Sequence, residues 1–317
     1  MSSAGVGRGP SGHGSEGVAP GGRGTGAPAS DARGVGGRAA GARRKRRLGM
    51  WLLVIFLVPA AIFMLAPFVW MLSTSLKGVG QVFEYPPRWI PETFHWENYT
   101  RVFKVLPFGR FFLNSAIVAT TVTVLQIVTC SLAAYAFARL RFPGRDVLFL
   151  AYLGTLMIPG QVILIPNFIL LRYLGWIDTY WALIVPGIFS AFGTFLLRQY
   201  FLTIPGELED AAVVDGATRF QIYTRVILPL AGPALSALAI FTFLGQWNSF
   251  LFPLVVTKTT GMSTLTVGLR TLQGQYNTDW TLLMAGAVIA LAPVLIVFLF
   301  AQRYIIRGIA LTGLGGR

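Results

Sequence analysis

Charged residues are scarce in this sequence. Asp, Glu, Lys and Arg together account for 12% of the 317 residues, whereas soluble domains carry roughly a quarter. Hydrophobic residues account for 54%, and the mean hydropathy is +0.64. These values argue against a soluble globular fold and predict a protein whose solvent is a lipid bilayer.

Cysteine and histidine are too few for the sites that they commonly build. Cys130 is the single cysteine, so no disulfide bond can form within the chain. The two histidines, His13 and His95, have no metal-ligand spacing around them. The sequence also has no nucleophile–base arrangement and no GxxxxGK[ST] phosphate loop. It therefore predicts no metal, no cofactor, no enzymatic activity and no ATP site in this chain.

Half of the formal net charge of +14 lies in the first 47 residues. This segment holds nine basic and two acidic residues, and it is rich in glycine with almost no large apolar side chains. Such a composition cannot bury enough surface to offset the entropy lost on ordering. We therefore expect residues 1–47 to be a disordered basic tail, and we do not interpret the charge as a sign of nucleic-acid binding.

Six segments are long and apolar enough to cross the hydrocarbon core as helices. They are 48–75, 109–138, 147–170, 181–200, 230–254 and 282–303. Basic residues cluster before the first segment, in the loop 139–146 and at the C-terminal end. The positive-inside rule then predicts that both termini are cytoplasmic, with Arg139 and Arg145 as topology anchors.

The predicted organisation has four parts. The tail is followed by a first transmembrane helix with an outside loop (48–108), a core transmembrane domain (109–303) and a cytoplasmic C-terminal end (304–317). The interiors of the six segments contain neutral polar groups, among them Gln161 and Asn167, but no Asp, Glu, Lys, Arg or His. Ion-coupled carriers and ion channels usually place ionisable or filter-like groups there, so any active transport must take its energy from elsewhere.

The loop 201–229, between the fourth and fifth segments, has the pattern of a short helix, a turn and a second helix. Pro205 suits a helix start, Asp215-Gly216 is a turn pair, and Leu228-Pro229 marks the entry to the next segment. Physics alone leaves open an ordinary amphipathic helix lying on the membrane surface. The residues of interest are Glu207, Glu209, Asp210, Ala211, Ala212, Asp215, Gly216, Ala217, Leu228 and Pro229.

The spacing within this loop resembles a family signature. Permeases of ATP-binding-cassette importers carry Glu-Ala-Ala, three residues, Gly, nine residues, Ile, one residue and Leu-Pro. Here Asp210-Ala211-Ala212, Gly216, Val226 and Leu228-Pro229 occupy those positions, with Asp for Glu and Val for Ile. The resemblance implies an all-α type I importer transmembrane domain of six helices. It also implies that the loop is a cytoplasmic coupling helix seated in a groove of a separate ATPase.

Other segments resemble the maltose-type carbohydrate permeases. They include Ser131–Arg139, Met157-Ile-Pro159, and Trp247-Asn248 with Pro253. This resemblance implies a sugar substrate, a second permease subunit, cytoplasmic ATP-binding subunits and an extracytoplasmic solute-binding protein. The chain would then form half of an alternating-access path, although a non-sugar solute such as a polyamine or phosphate stays open.

Gln246, Trp247 and Asn248 lie in the fifth segment, where an aromatic face and neutral amides could meet sugar rings and hydroxyl groups. The same residue types also serve interhelical hydrogen bonding and packing. We treat the three as candidates for the translocation path with both interpretations open.

Overall fold

The computed structural model describes residues 32–274 and 278–313, and they are overwhelmingly α-helical. Within these ranges the only extended pairing is a single bridge between Gln273 and Thr278. The prediction of an all-α fold is confirmed. The helices are α1 (Ala32–Ser75), α2 (Glu97–Val105), α3 (Phe108–Arg139), α4 (Arg145–Gly154), α5 (Leu164–Tyr173), α6 (Tyr180–Ile184), α7 (Ala191–Thr203), α8 (Glu207–Val214), α9 (Arg219–Ile222), α10 (Leu228–Leu230), α11 (Gly232–Trp247), α12 (Leu251–Val256), α13 (Leu265–Arg270) and α14 (Trp280–Gly313).

Four stretches in the described ranges are long and apolar enough to span a membrane. They are Leu53–Ser75, Phe108–Arg139, Tyr180–Thr203 and Trp280–Phe300. They coincide with the predicted first, second, fourth and sixth segments. A fifth span exists if Arg219–Leu230 and Gly232–Trp247, which meet at a bend of 78°, count as one.

The predicted third segment, 147–170, is wrong as a single helix. α4 ends at Gly154, a short 3₁₀ turn follows, and α5 starts only at Leu164. Pro159 and Gly160 explain the break. Proline has no N–H and disfavours a helical residue before it, and Ile158 is indeed extended. Glycine adds a further conformational cost.

The predicted fifth segment, 230–254, is also divided. α11 ends at Trp247, and α12 is a separate short helix. At the other end, the helix bends at Ala231 between Pro229 and Pro233. Each proline removes a helical hydrogen bond, so this segment cannot continue straight from the loop 201–229.

The ends of the chain also differ from expectation. α1 begins at Ala32, inside the segment 1–47 for which the sequence predicts a disordered tail; alanine and arginine there favour a helix. Residues 1–31 lie outside the described residues. α14 continues past the expected boundary at 303 to Gly313, and residues 314–317 again lie outside.

Contacts divide the chain into two units, Met1–Met64 and Leu65–Arg317. The described part of the first unit is the N-terminal portion of α1. The second unit has α3 at its centre, packed against α7 and α11. Gly193 permits this approach, because a methyl group there would lie 2.9 Å from both Cys130 Sγ and a methyl of Leu238.

Candidate functional site

The loop 201–229, hereafter the signature loop, has the predicted helix–turn–helix form. α8 ends at Val214, and Gly216 adopts the left-handed conformation (φ +77°) that its sequence position anticipates. The Gly216 N–H donates to Val213 O (3.0 Å) and the Ala217 N–H to Ala212 O (2.9 Å). This pair of bonds is a Schellman motif, which satisfies the last carbonyls of α8.

A capping box starts the second half of the loop. Thr218 Oγ1 accepts the Gln221 N–H (3.3 Å), and Gln221 Oε1 accepts the Thr218 N–H (2.8 Å). After α9 the chain forms a π-helix over Tyr223–Ile227, in which each turn contains an extra residue. Ile222 and Ile227 are fully buried against the bundle, so the second half of the loop is firmly seated.

The predicted residues of the signature loop divide by exposure. Glu207, Asp210, Ala211, Asp215, Gly216 and Pro229 are exposed; Ala212, Ala217 and Leu228 are half-buried; Glu209 is buried. Large apolar residues join the exposed group, above all Val214 (87% exposed) and Phe220 (67% exposed). The loop therefore presents a mixed acidic and apolar surface and holds Glu209 against the bundle.

Glu209 meets Arg139, which sequence reasoning interpreted only as a topology anchor. Arg139 Nε lies 2.9 Å from Glu209 Oε1, and both side chains are largely removed from solvent. Arg139 Nη2 also donates to the carbonyls of Phe201 and Ile204 (2.5 Å to the latter) at the end of α7. One guanidinium thus joins α3, α7 and α8.

Two further side chains of α3 contact the loop. Tyr135 Oη donates to Arg219 O (3.2 Å), and Ser131 Oγ is 2.7 Å from Tyr223 Oη. Ser131, Tyr135 and Arg139 are spaced four residues apart, so they lie on one face of the helix. We call these three residues the α3 stripe. Their four-residue spacing is the feature of the sequence from which their common helix face could have been predicted.

A cavity of about 510 Å³ lies beside the end of α11. The polar side chains of its wall are neutral, and none of the residues that line it is charged. Gln161 and Asn167 come from the segment around the broken third span and join Gln246 there. The lining residues are Gly160, Gln161, Ile163, Leu164, Asn167, Leu183, Pro186, Gly187, Gln246, Ser249, Phe250, Leu251 and Phe252.

Of the three path candidates, Gln246 alone is among these lining residues. Trp247 is 3% exposed; its Nε1 donates to Ala290 O (3.0 Å), and its ring stacks on Phe243 with centroids 5.7 Å apart. Asn248 Nδ2 donates to Leu244 O one turn back (2.9 Å). The geometry gives Trp247 a packing contact between α11 and α14.

The family model described as "Binding-protein-dependent transport system inner membrane component" matches residues 126–311, which is more than half of the chain and includes the signature loop. The chain belongs to this family. It is thus a multi-pass membrane permease with the type I importer fold, a transport component rather than an enzyme.

Relatives of the permease include the arabinooligosaccharides transport system permease protein AraQ of Halalkalibacterium halodurans, 38% identical over 77% of this chain and 86% of the relative. The sn-glycerol-3-phosphate transport system permease protein UgpE of Yersinia pestis is 34% identical over 80% of this chain and 94% of that protein. A solved bacterial ABC transporter involved in the import of the acidic polysaccharide alginate contains a similar chain: the TM-score is 0.75, at 25% identity over 82% of this chain and 98% of that one.

Proposed function

We propose that the permease forms half of the path of an ATP-driven importer for an uncharged saccharide. The observation that carries the proposal is the cavity beside Gln246, whose lining offers amides, a hydroxyl group and aromatic rings but no charge. Amide groups exchange hydrogen bonds with sugar hydroxyls, and aromatic faces stack on sugar rings. The relative named for arabinooligosaccharides gives a precedent in the family.

A charged solute is the second candidate, because another relative is named for sn-glycerol 3-phosphate. A phosphate group taken from water would need arginine, lysine or clustered backbone donors. The lining of the cavity contains no basic residue. This chemistry favours the neutral saccharide over a phosphate, and equally over a polyamine, which would need acidic partners.

The exposed face of the signature loop is the proposed docking site for an ATP-binding subunit. Val214 and Phe220 offer apolar contacts, while Glu207 and Asp210 offer negative charge for basic partners. Glu209 instead pairs with Arg139, and the half-buried Ala212, Ala217 and Leu228 pack against the buried cluster of the bundle. With the loop in the cytoplasm, the basic segment Arg43–Arg47 and both termini lie on the same side, as the positive-inside rule requires.

The proposed assembly contains this permease, a second permease subunit, cytoplasmic ATP-binding subunits and an extracytoplasmic solute-binding protein. Because the chain has no phosphate loop of its own, ATP binding and hydrolysis fall to the partner subunits. ATP-driven closure of these subunits would move the signature loop and shift the path between its inward and outward states.

Uptake by the complete importer tests the proposal. Arabinotriose and sn-glycerol 3-phosphate serve as neutral and charged probes, each labelled, in cells expressing all subunits. Gln246→Leu should reduce arabinotriose uptake about tenfold or more, because it replaces an amide of the cavity wall by an apolar group. Gln199→Leu, the same change at an exposed position of α7 outside the cavity, is the matched control and should transport normally. Uptake of glycerol phosphate but not of the sugar would contradict the proposal.

A further inference from the structure

Within the described residues, α8, α9 and α10 of the signature loop have no continuous helical connection to a membrane span. On one side, Ile204 is extended, and Pro205 and Gly206 separate α7 from α8. On the other side, the helix bends by 78° at Ala231 before α11 begins. A movement of the loop would be absorbed at these two joints unless other contacts carry it.

The contacts that cross this gap converge on α3. The three polar contacts of the α3 stripe reach three separate parts of the loop, namely Glu209 in α8, the Arg219 carbonyl in α9 and Tyr223 in the π-helix. Apolar packing supports them, since Ala134 of α3 lies in the same buried cluster as Ile222 and Ile227. The loop is therefore attached to α3 along its whole second half as well as at α8.

The Arg139–Glu209 ion pair is the contact that resists separation most. The side chains are 14% and 9% exposed, so pulling them apart leaves a charge with little water around it. Arg139 also holds the Phe201 and Ile204 carbonyls, so the ends of α3 and α7 stay together with α8. Displacing α8 should drag α3 and α7 with it rather than break this cluster.

The same helix reaches the cavity wall. Thr129 Oγ1 donates to Ile188 O (2.5 Å), next to Pro186 and Gly187, which line the cavity. A methyl group on Gly187 would lie 3.0 Å from Val122 of α3 and 3.1 Å from Gln246 Nε2. Nine residues separate Val122 from Ser131, about 14 Å along the helix.

We infer that the α3 stripe transmits movement of the signature loop to the cavity wall around Gly187, with the Arg139–Glu209 ion pair as its principal contact. This inference rests on the proposed function, which makes the loop the ATPase contact and the cavity part of the solute path. Ser131, Tyr135 and Arg139 are positioning residues in this scheme: they touch neither solute nor nucleotide.

The test measures how the cavity responds to nucleotide, without reference to any solute. A cysteine is placed in the cavity (Ser249→Cys) in a Cys130→Ala background, and the complete importer is purified in lipid nanodiscs. The rate of labelling by a maleimide is compared with and without a non-hydrolysable ATP analogue. Retention of the ATPase during purification is measured in parallel.

In the otherwise unaltered protein the analogue should change the labelling rate at least fivefold. In Arg139→Gln and in Glu209→Gln, the ratio of the labelling rates with and without the analogue should be close to one while the ATPase stays bound. Arg139→Lys should keep part of the response to the analogue. Arg145→Gln is the matched control, because Arg145 pairs with its exposed neighbour Asp146. Its ratio should stay at the unaltered value.

A full response in Arg139→Gln with the ATPase bound would overturn the inference, as would the absence of any response in the unaltered protein with the ATPase bound. If Arg139→Gln inserts poorly or loses the ATPase, the double variant Arg139→Met/Glu209→Leu decides, since it removes the ion pair without leaving a buried charge unpaired. A lowered ratio there supports the inference and an unchanged ratio overturns it. Failure of the proposed docking site is distinguishable, because it would appear as normal ATPase retention in variants of the exposed loop face.

Discussion

The two ends of α3 are both attached to non-helical segments, but by different chemistry. At the N-terminal end, Asn114 Nδ2 donates to the carbonyls of Gly261 and Ser263 (2.9 Å each), and Tyr180 Oη donates to Asn114 Oδ1 (2.6 Å). These three bonds join neutral groups, and the Arg110 guanidinium adds only a longer bond to the Gly261 carbonyl (3.4 Å). At the C-terminal end the principal contact is an ion pair.

The difference matters for what each end does when it is disturbed. A neutral hydrogen bond contributes roughly 1 kcal/mol, and its groups can find other partners. Separating one partner from a buried ion pair costs about 3–5 kcal/mol. The neutral end suits a fixed attachment of the segment 257–270, whereas the charged end suits a joint that has to move as one piece with the signature loop.

The largest expected effect comes from removing one charge of the pair. Arg139→Met should lower the free energy of unfolding by about 3–5 kcal/mol, because Glu209 is left buried without its partner. Thermal unfolding of the purified permease in detergent measures this change. The double variant Arg139→Met/Glu209→Leu should recover most of the lost free energy of unfolding. If it is no more stable than Arg139→Met, the unpaired charge of Glu209 is not the cause of the loss.

The neutral end should give a smaller effect. Asn114→Leu leaves the Ser263 carbonyl and the Tyr180 hydroxyl without their partner and the Gly261 carbonyl with only the longer bond from Arg110 Nε (3.4 Å), at a cost of about 2–3 kcal/mol. Unlike the ion-pair variants, it should leave the response of the cavity to nucleotide unchanged. An equal loss of nucleotide response in Asn114→Leu would show that the two ends of α3 do not differ in role.

Gly216→Val tests the exposed face of the signature loop. Its φ of +77° is unfavourable for a β-branched residue, so we expect a local cost of about 1–2 kcal/mol and a distorted Schellman turn. The ATPase should be lost during purification and uptake should fall to background, while membrane insertion stays normal. Gly206→Val, at an exposed residue with ordinary helical φ, is a control for the added side chain. Normal uptake in Gly216→Val would contradict the docking assignment.

The smallest effect concerns a second attachment near the N-terminal end of α3. Asp178 Oδ1 accepts the N–H groups of Lys258 (2.8 Å) and Thr259 (3.0 Å). Burial raises the pKa of this carboxyl, but hydrogen bonds from Thr259 and Lys258 outweigh it, and the pKa lies below its ordinary value. A lowered folded-state pKa contributes stability above the ordinary aspartate pKa, and this contribution is lost as pH falls through the folded value.

The thermal midpoint should therefore decline on acidification below the ordinary aspartate pKa. Asp178→Asn should remove part of this decline, because the amide does not titrate. A variant whose acid profile matches that of the unaltered protein would show that Asp178 contributes nothing to it.

The sequence predicted the helical membrane fold and the form of the signature loop, because both depend on local patterns. Long apolar runs mark spans, and Gly216 after an acidic helix marks a left-handed turn. The prediction from sequence failed where a long apolar run concealed a local helix break. The apolar run 147–170 masked the break at Pro159-Gly160, since hydropathy averages over a window while a helix ends at a single residue.

Contacts between distant residues were beyond the sequence. Arg139 and Glu209 are seventy positions apart, and nothing local states that their side chains meet. For Trp247 the difficulty was orientation: α11 is apolar on all sides, so no periodicity indicates which face meets α14. The sequence shows the four-residue spacing of Ser131, Tyr135 and Arg139, but it does not show which residues these side chains contact.

The π-helix at Tyr223–Ile227 constrains the number of residues in the signature loop. A π-turn holds one more residue than an α-turn, so the count between Gly216 and Pro229 includes that extra residue. Deleting one residue there would let the segment relax into an ordinary α-helix and keep the flanking residues in register, whereas inserting one residue would rotate everything on one side of the insertion by about 100°. Tyr223 would then point away from Ser131, and the loop would lose its register with α3. Single-residue insertions in this stretch should therefore be less tolerated than single-residue deletions.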